Sequence, residues 1–258
     1  MTLGFSKSGR HLLLSGILLA VCGVSFLAAQ RGPAPVALPR LADGKPNLQG
    51  IWQSDGKPAA DVQPFVEGGQ IPYKPGAEAK KRENFADRAK SDPLNSCFMP
   101  GVPRIMYLDH PFQIFQAKDH IAFTFEWSSV FRLIYTTTKA SPHPGIDSWM
   151  GDSRGRWEGN TLVVEVIGSN NRTWFDQAGN YHSDKMRVTE RYTLTDADTI
   201  RYEATITDPE VFSRPWKISF PIHRIKNKSR VLEYQCQAEK EEKNGDFERE
   251  QRTWYPKR

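Results

Sequence analysis

Polar and apolar residues alternate through much of the second half of the chain. The clearest case is 186–194, where every second residue lies on one largely apolar face: Met186, Val188, Glu190, Tyr192 and Leu194. A period of two is typical of a β-strand that buries one face. Other short runs are rich in aromatic and β-branched residues. Together these patterns predict strands at 48–54, 105–108, 112–116, 121–126, 130–136, 162–167, 186–194, 200–207, 216–222 and 230–236.

Turn residues predict how the strands connect. Gly159 and Asn160 can supply the positive φ of a tight turn, which predicts a hairpin whose second strand is 162–167. Residues 195–199 form a longer turn between the next two strands. The regular spacing from 104 onward indicates an antiparallel meander.

Three segments depart from this strand pattern. Residues 77–90 predict one short surface helix with only a thin apolar stripe. The proline-rich segment 30–47 predicts an extended linker or a strap over the domain. The densely charged segment 238–250 is typical of a solvated loop, a helix face or a terminal extension.

Gly50-Ile51-Trp52, in the first predicted strand, resembles the G-x-W signature of lipocalin-like barrels, in which the tryptophan closes one end. The many short strands agree with that resemblance. We therefore predict an all-β fold with little α-helix, a single antiparallel β-barrel or strongly curved sheet that is lipocalin-like. This domain is predicted to span 48–258.

The N-terminus carries the features of an export signal. Lys7 and Arg10 precede a largely apolar run, 12–29, that ends in two alanines. These features predict a secretory signal peptide over residues 1–29 and a periplasmic or secreted protein. Two alternatives are an uncleaved membrane anchor and a lipoprotein processed at Cys22. Membrane contact is expected only through an uncleaved leader.

The charge balance excludes one class of partner. The chain has 35 basic and 30 acidic residues, and removal of Lys7 and Arg10 with the leader lowers the net charge from +5 to +3. Because both signs are interspersed, no surface for nucleic acid is indicated. The predicted partner is a small-molecule ligand or substrate, and no oligomeric state is predicted.

Two cysteines remain after leader cleavage, Cys97 and Cys236. In an exported protein this pair predicts a disulfide bond, and the alternative is two separate buried thiols. Neither cysteine belongs to a C-x-x-C pair or has a histidine at ligand spacing. The sequence therefore predicts no metal site and no cofactor.

Three motifs resemble an uncharacterised family of exported bacterial proteins. They begin at Cys97 (CFMPGVPR), at Gly151 (GDSRGRWEGNTLVV) and at Thr173 (TWFD, followed by HSD at 182–184). The resemblance runs from about Leu38 to Cys236 and implies export and a single domain, but no activity. Members of this family follow the second cysteine with His-Glu-Gly-Asn, whereas this chain has QAEK at 237–240. The resemblance therefore lends no role to that segment.

The strongest candidate cluster surrounds His182 and Asp184. Two residues apart in an extended segment, their side chains would project to the same side, and together they could act as an acid and base near neutral pH. Glu190 lies on an apolar face, which indicates either a pocket acid or an internal pair with an arginine. We predict catalytic roles for His182, Asp184 and Glu190, and ligand contacts for Trp174 and Asp176.

A second cluster precedes the first: His143, Asp147, Trp149, Asp152, Arg154 and Arg156. Arginine side chains can bind a carboxylate or sulfate while a tryptophan stacks on a ring. We therefore predict ligand contacts for His143, Trp149, Asp152 and Arg154. The structural alternative is a turn at 152–155, fastened by an aspartate–arginine bridge.

Familiar catalytic motifs are absent: the sequence has no G-x-S-x-G, P-loop, G-x-G-x-x-G or H-E-x-x-H. The favoured function is an exported barrel that binds an aromatic or amphipathic small molecule. One alternative is a periplasmic hydrolase, lyase or isomerase that uses His182 with Asp184 or Glu190. The other is an envelope structural or interaction protein. A pocket containing all three catalytic candidates would favour the enzyme.

Overall fold

Nine strands form a closed β-barrel in the computed structural model, which describes residues 37–137 and 148–245. Each strand pairs with the next, and β1 pairs with β9. All pairs are antiparallel except β4 and β5, which are parallel. The predicted lipocalin-like all-β class is confirmed. The strands are β1 (Gly50–Gln53), β2 (Phe112–Gln116), β3 (His120–Phe125), β4 (Phe131–Tyr135), β5 (Asp152–Glu158), β6 (Thr161–Ile167), β7 (Arg187–Leu194), β8 (Thr199–Thr207) and β9 (Trp216–Arg224).

Short helices flank the barrel. They are α1 (Lys57–Ala60), α2 (Ala77–Ala86), α3 (Arg88–Ser91) and α4 (Cys236–Lys243), with 3₁₀ turns at Gln63–Phe65, Pro93–Ser96 and Arg104–Tyr107. The helix predicted at 77–90 is confirmed as α2 followed directly by α3. No helix in the described ranges is long and apolar enough to cross a membrane. The predicted signal peptide, 1–29, and residues 30–36 of the predicted linker lie outside the described residues.

Two strand predictions are wrong. Residues 104–107 form a 3₁₀ turn in which all four side chains are buried, and a run buried on every side has no alternation that separates strand from helix. Residues 230–236 alternate, but none of them is buried, and in this segment only Tyr234 forms a bridge, with Trp127. The chain enters α4 at Cys236, because strong helix formers follow.

The side chains of the strands fill the barrel interior. The predicted alternation in β7 is confirmed, with Glu190 on the buried face. Register keeps the inward residues of neighbouring strands together, since Tyr192 pairs with Tyr202 and Tyr202 pairs with Phe220. Tyr192, Tyr202 and Ile218 have no exposed surface. They therefore line neither bulk solvent nor a cavity large enough for water.

Trp52 packs at the end of the barrel where β9 finishes. Its indole Nε1 donates a hydrogen bond of 2.8 Å to the Leu48 carbonyl oxygen, and its ring is fully buried. The Arg224 guanidinium lies 4.1 Å from the centroid of that ring. The stack agrees with the closing role that lipocalin-like barrels give this tryptophan.

The 3₁₀ turn Arg104–Tyr107 closes the end of the barrel where β2 and β4 begin. Met106 Sδ lies 3.9 Å from Nη1 of Arg132 in β4, while the ring of Tyr107 meets the ring of Phe220 in β9 edge to face at 5.6 Å. Because β4 and β9 lie on opposite sides of the ring of strands, the turn spans the mouth. A ligand approaching here would meet the chain's own side chains.

Candidate functional site

A charged pair occupies the barrel interior where the alternation predicts Glu190. Arg132 forms a two-pronged ion pair with Glu190, with Nη1 3.1 Å from Oε1. The hydroxyls of Tyr192 and Tyr202 each donate to the same Oε1 at 2.8 Å. Burial is the largest single influence and would lower the pKa of Arg132, but Glu190, together with Tyr192 and Tyr202, raises the pKa overall. Glu190 therefore forms the internal ion pair with an arginine that was the structural alternative to a pocket acid.

His182 is almost completely buried, with 3% of its surface exposed. Its Nδ1 lies 2.9 Å from the Ser183 carbonyl oxygen, which can only accept, so Nδ1 carries the proton. Nε2 then accepts from the Thr173 hydroxyl at 2.6 Å. Burial lowers the pKa of His182, which keeps the imidazole neutral at pH 7. Both ring nitrogens of His182 therefore form hydrogen bonds within the β6–β7 loop.

Asp184 lies on the surface, and its carboxylate is 3.1 Å from Lys185 Nζ. The chain turns at 184–185 instead of running extended, so His182 and Asp184 face different surroundings. Glu190 lies inside the barrel. The structure does not bring these three side chains together in one pocket, and their catalytic roles stay a prediction.

Asp176 is a fully buried carboxylate in the β6–β7 loop. It accepts hydrogen bonds from the Val62 backbone N–H at 2.8 Å and from the Asn180 side-chain amide at 2.6 Å. Desolvation raises the pKa of Asp176 to about 6, because these donors only partly replace water. Trp174 is nine-tenths buried, and its backbone bridges to Tyr181. Asp176 and Trp174 thus make contacts that stabilise the loop, and these contacts add no support to their predicted ligand binding.

The rings of Phe98 and Trp149 stack at the surface, with centroids 5.0 Å apart and planes at 8°. We call these two residues the aromatic shelf. Half of the Phe98 surface (50%) is exposed, as is 44% of the neighbouring Met99. Stacked rings of this kind leave an apolar face for a further ring. A ligand in solution could therefore reach the stack of which Trp149 is part.

The aromatic shelf is tethered on both sides. Cys97, directly before Phe98, forms a disulfide bond with Cys236, with Cα atoms 5.5 Å apart, so the predicted pairing is confirmed. Directly before Trp149, Ser148 bridges to Ser169.

A close backbone approach fixes the segment after Phe98. Gly101 has φ +73°, and a Cβ at this position would lie 2.7 Å from Thr173 Oγ1. Only glycine accommodates both the left-handed conformation and the contact without strain. The segment 97–101 is thereby docked onto the β6–β7 loop.

Asp152 and Arg154 lie on the outer face of β5. Arg154 donates twice to the Asp152 carboxylate, from Nε at 2.8 Å and from Nη2 at 2.9 Å. Its guanidinium also lies 4.8 Å from the centroid of the Tyr135 ring. The aspartate–arginine bridge of the structural alternative is present, but the turn predicted at 152–155 is wrong, because these residues lie within the extended strand β5. The predicted ligand contacts of both residues stay a prediction. His143 and Asp147 lie outside the described residues.

Phe98 is the site residue that sequence reasoning missed. It belongs to no alternating run, and its stacking partner lies about fifty positions away along the chain, so periodicity carries no signal for it. The available signal was an adjacent pair of large apolar residues, Phe98-Met99, outside every predicted element and next to a cysteine.

Within 37–137 and 148–245, no group of three or more His, Cys, Asp or Glu side chains could hold a metal ion. No family model matches the chain, and no curated protein matches it significantly.

Proposed function

We propose that the protein is an exported β-barrel that binds an aromatic or amphipathic small molecule on the aromatic shelf. The observation that carries this proposal is the tethered stack of Phe98 and Trp149, in which half of the Phe98 surface is exposed to solvent. Apolar surface exposed at a fixed position often marks an interaction site. A planar ligand would extend the stack and cover the exposed half of Phe98.

Two further observations support this assignment. The Cys97–Cys236 disulfide bond fits an oxidising compartment outside the cytoplasm, in agreement with the leader pattern. The barrel interior holds the chain's own side chains, with Arg132 already paired to Glu190. Binding on the outer surface therefore requires no rearrangement of the core.

The fluorescent probe 1-anilinonaphthalene-8-sulfonate tests the proposal, because it combines aromatic rings with an anionic group. We expect Phe98→Ala and Trp149→Ala each to weaken probe binding about tenfold, the equivalent of about 1.4 kcal/mol. Phe85→Ala is the matched control, since Phe85 is an exposed phenylalanine (47%) on α2. Equal probe affinity in all three variants would contradict the shelf as the site.

The enzyme alternative has less support, because its three candidate residues lie in three separate surroundings. His182→Ala tests it directly. The purified protein is incubated with an envelope metabolite extract, and mass spectrometry then compares bound and consumed compounds. We expect retained compounds and no turnover, for the wild type and for the variant alike. Turnover that His182→Ala abolishes would establish the enzyme instead.

A further inference from the structure

A groove of about 390 Å³ lies between α4 and the turn that joins β3 to β4, beside the disulfide bond. We call it the α4 groove. Its volume falls within the range of sites for small organic molecules. The residues that determine its chemistry are Leu94, Cys97, Trp127, Tyr234, Glu239 and Lys240.

Two aromatic side chains give the α4 groove an apolar wall. Trp127 and Tyr234 are adjacent, because their backbones form a parallel bridge. The Tyr234 ring stacks on His110 with centroids 4.8 Å apart. This stack supports one face of the Tyr234 ring and limits its rotation.

Lys240 supplies a positive charge that no carboxylate within residues 37–137 and 148–245 pairs with. Glu239 is neutralised by Lys243, whose Nζ lies 2.7 Å from Oε1. The Nζ of Lys240 instead donates to the neutral Asn95 carbonyl oxygen at 3.3 Å, and it forms no ion pair with any described carboxylate. The groove therefore has an electrostatic preference for one negative charge.

The position of α4 is set before a ligand arrives. The disulfide bond holds its first residue, Cys236, to Cys97. The Gln235 side-chain amide also donates to Ser129 Oγ at 2.8 Å, and the Cys236 backbone N–H donates to Ser128 Oγ at 3.4 Å. A preformed site of this kind loses little entropy on binding.

We propose that the α4 groove is a second binding site, independent of the aromatic shelf, for an aromatic carboxylate of one or two rings. The ring lies against Tyr234 and Trp127, and the carboxylate pairs with Lys240.

The test uses 1-naphthoate and its uncharged analogue 1-naphthalenemethanol in isothermal titration calorimetry. Both are titrated into the Phe98→Ala protein, so that the aromatic shelf does not contribute. We expect Lys240→Gln to weaken 1-naphthoate binding about five- to tenfold and to leave 1-naphthalenemethanol unchanged. Lys90→Gln is the matched control, since Lys90 is an exposed lysine of α3. It should leave both affinities unchanged.

Tyr234→Leu provides a second readout, because it removes one of the two aromatic side chains of the wall and keeps the charge. It should weaken both probes. Equal effects of Lys240→Gln and Lys90→Gln on 1-naphthoate would overturn the role of Lys240. Failure of 1-naphthoate to bind at millimolar concentration would overturn the site itself. Neither outcome affects the aromatic shelf, which is tested with a different probe by comparing Phe98→Ala and Trp149→Ala with Phe85→Ala.

Discussion

Among single residues, Arg132 and Glu190 carry the largest electrostatic consequence for the fold. Both side chains are buried, with 2% and 0% of their surfaces exposed. Two charges removed from water stabilise a protein only as long as they satisfy each other, so the loss of one partner is far more costly than the loss of both. A single substitution in this pair should therefore destabilise the protein far more than replacement of both residues.

We expect Glu190→Gln to lower the free energy of unfolding by about 3–5 kcal/mol, because Arg132 is left buried without its counter-charge. The double variant Arg132→Met with Glu190→Leu should regain most of this loss. Urea unfolding followed by circular dichroism measures both. Glu165→Gln is the control, since Glu165 pairs with Arg156 on the surface, and it should cost under about 1 kcal/mol. A similar small loss for Glu190→Gln would contradict the buried pair.

Asp176 makes the stability of the folded loop depend on pH. Its pKa is about 6 in the folded protein, against 3.8 for an unperturbed aspartate. Between these values the folded protein binds more protons than the unfolded chain. The contribution of Asp176 to stability is therefore fully present below about pH 4 and is lost as the pH rises to about 6.

The pH dependence is measured as the difference in unfolding free energy between wild type and Asp176→Asn. From pH 4 to pH 7, we expect the unfolding free energy of the wild type to fall by about 2–3 kcal/mol relative to that of Asp176→Asn. Taking the difference removes the contributions of all other titrating groups. A difference that stays constant over this range would show that Asp176 does not titrate there.

At the level of elements, the sequence predicted best where one face of a strand is buried. Alternation in β7 and β8 determined both the strands and the inward position of Glu190, because period two and burial coincide there. The turn at Arg104–Tyr107 was missed because tertiary burial surrounds it completely. Arg132, the partner of Glu190, could not be identified from the sequence, since the pairing depends on the closure of the whole barrel.

The disulfide bond and α4 form a unit that can be tested as one. An eight-residue helix is marginal without tertiary contacts, and the Cys97–Cys236 bond fixes its first residue. We expect the double variant Cys97→Ser with Cys236→Ser to remove hydrogen-exchange protection from α4 while β7 and β8 keep theirs. Unchanged protection in α4 would mean that other contacts hold the helix.

On the scale of the whole molecule, side chains fill the barrel, and both proposed binding sites lie on its outer surface. Trp52 packs at one end, the 3₁₀ turn Arg104–Tyr107 spans the other, and Arg132 pairs with Glu190 between them. The aromatic shelf and the α4 groove both adjoin the disulfide bond on the outer surface. In many proteins a rigid scaffold supplies stability, while loops on its surface carry the binding residues.

We propose that ligand binds outside the barrel, at Phe98 and Trp149. The sharpest test of this claim is a series of ¹H–¹⁵N correlation spectra of the protein titrated with 1-anilinonaphthalene-8-sulfonate. We predict that the amide resonances of 97–101 and 148–151 shift, and that those of β7 and β8 do not. Shifts confined to the strands around Arg132 and Glu190, with none at the aromatic shelf, would contradict the claim.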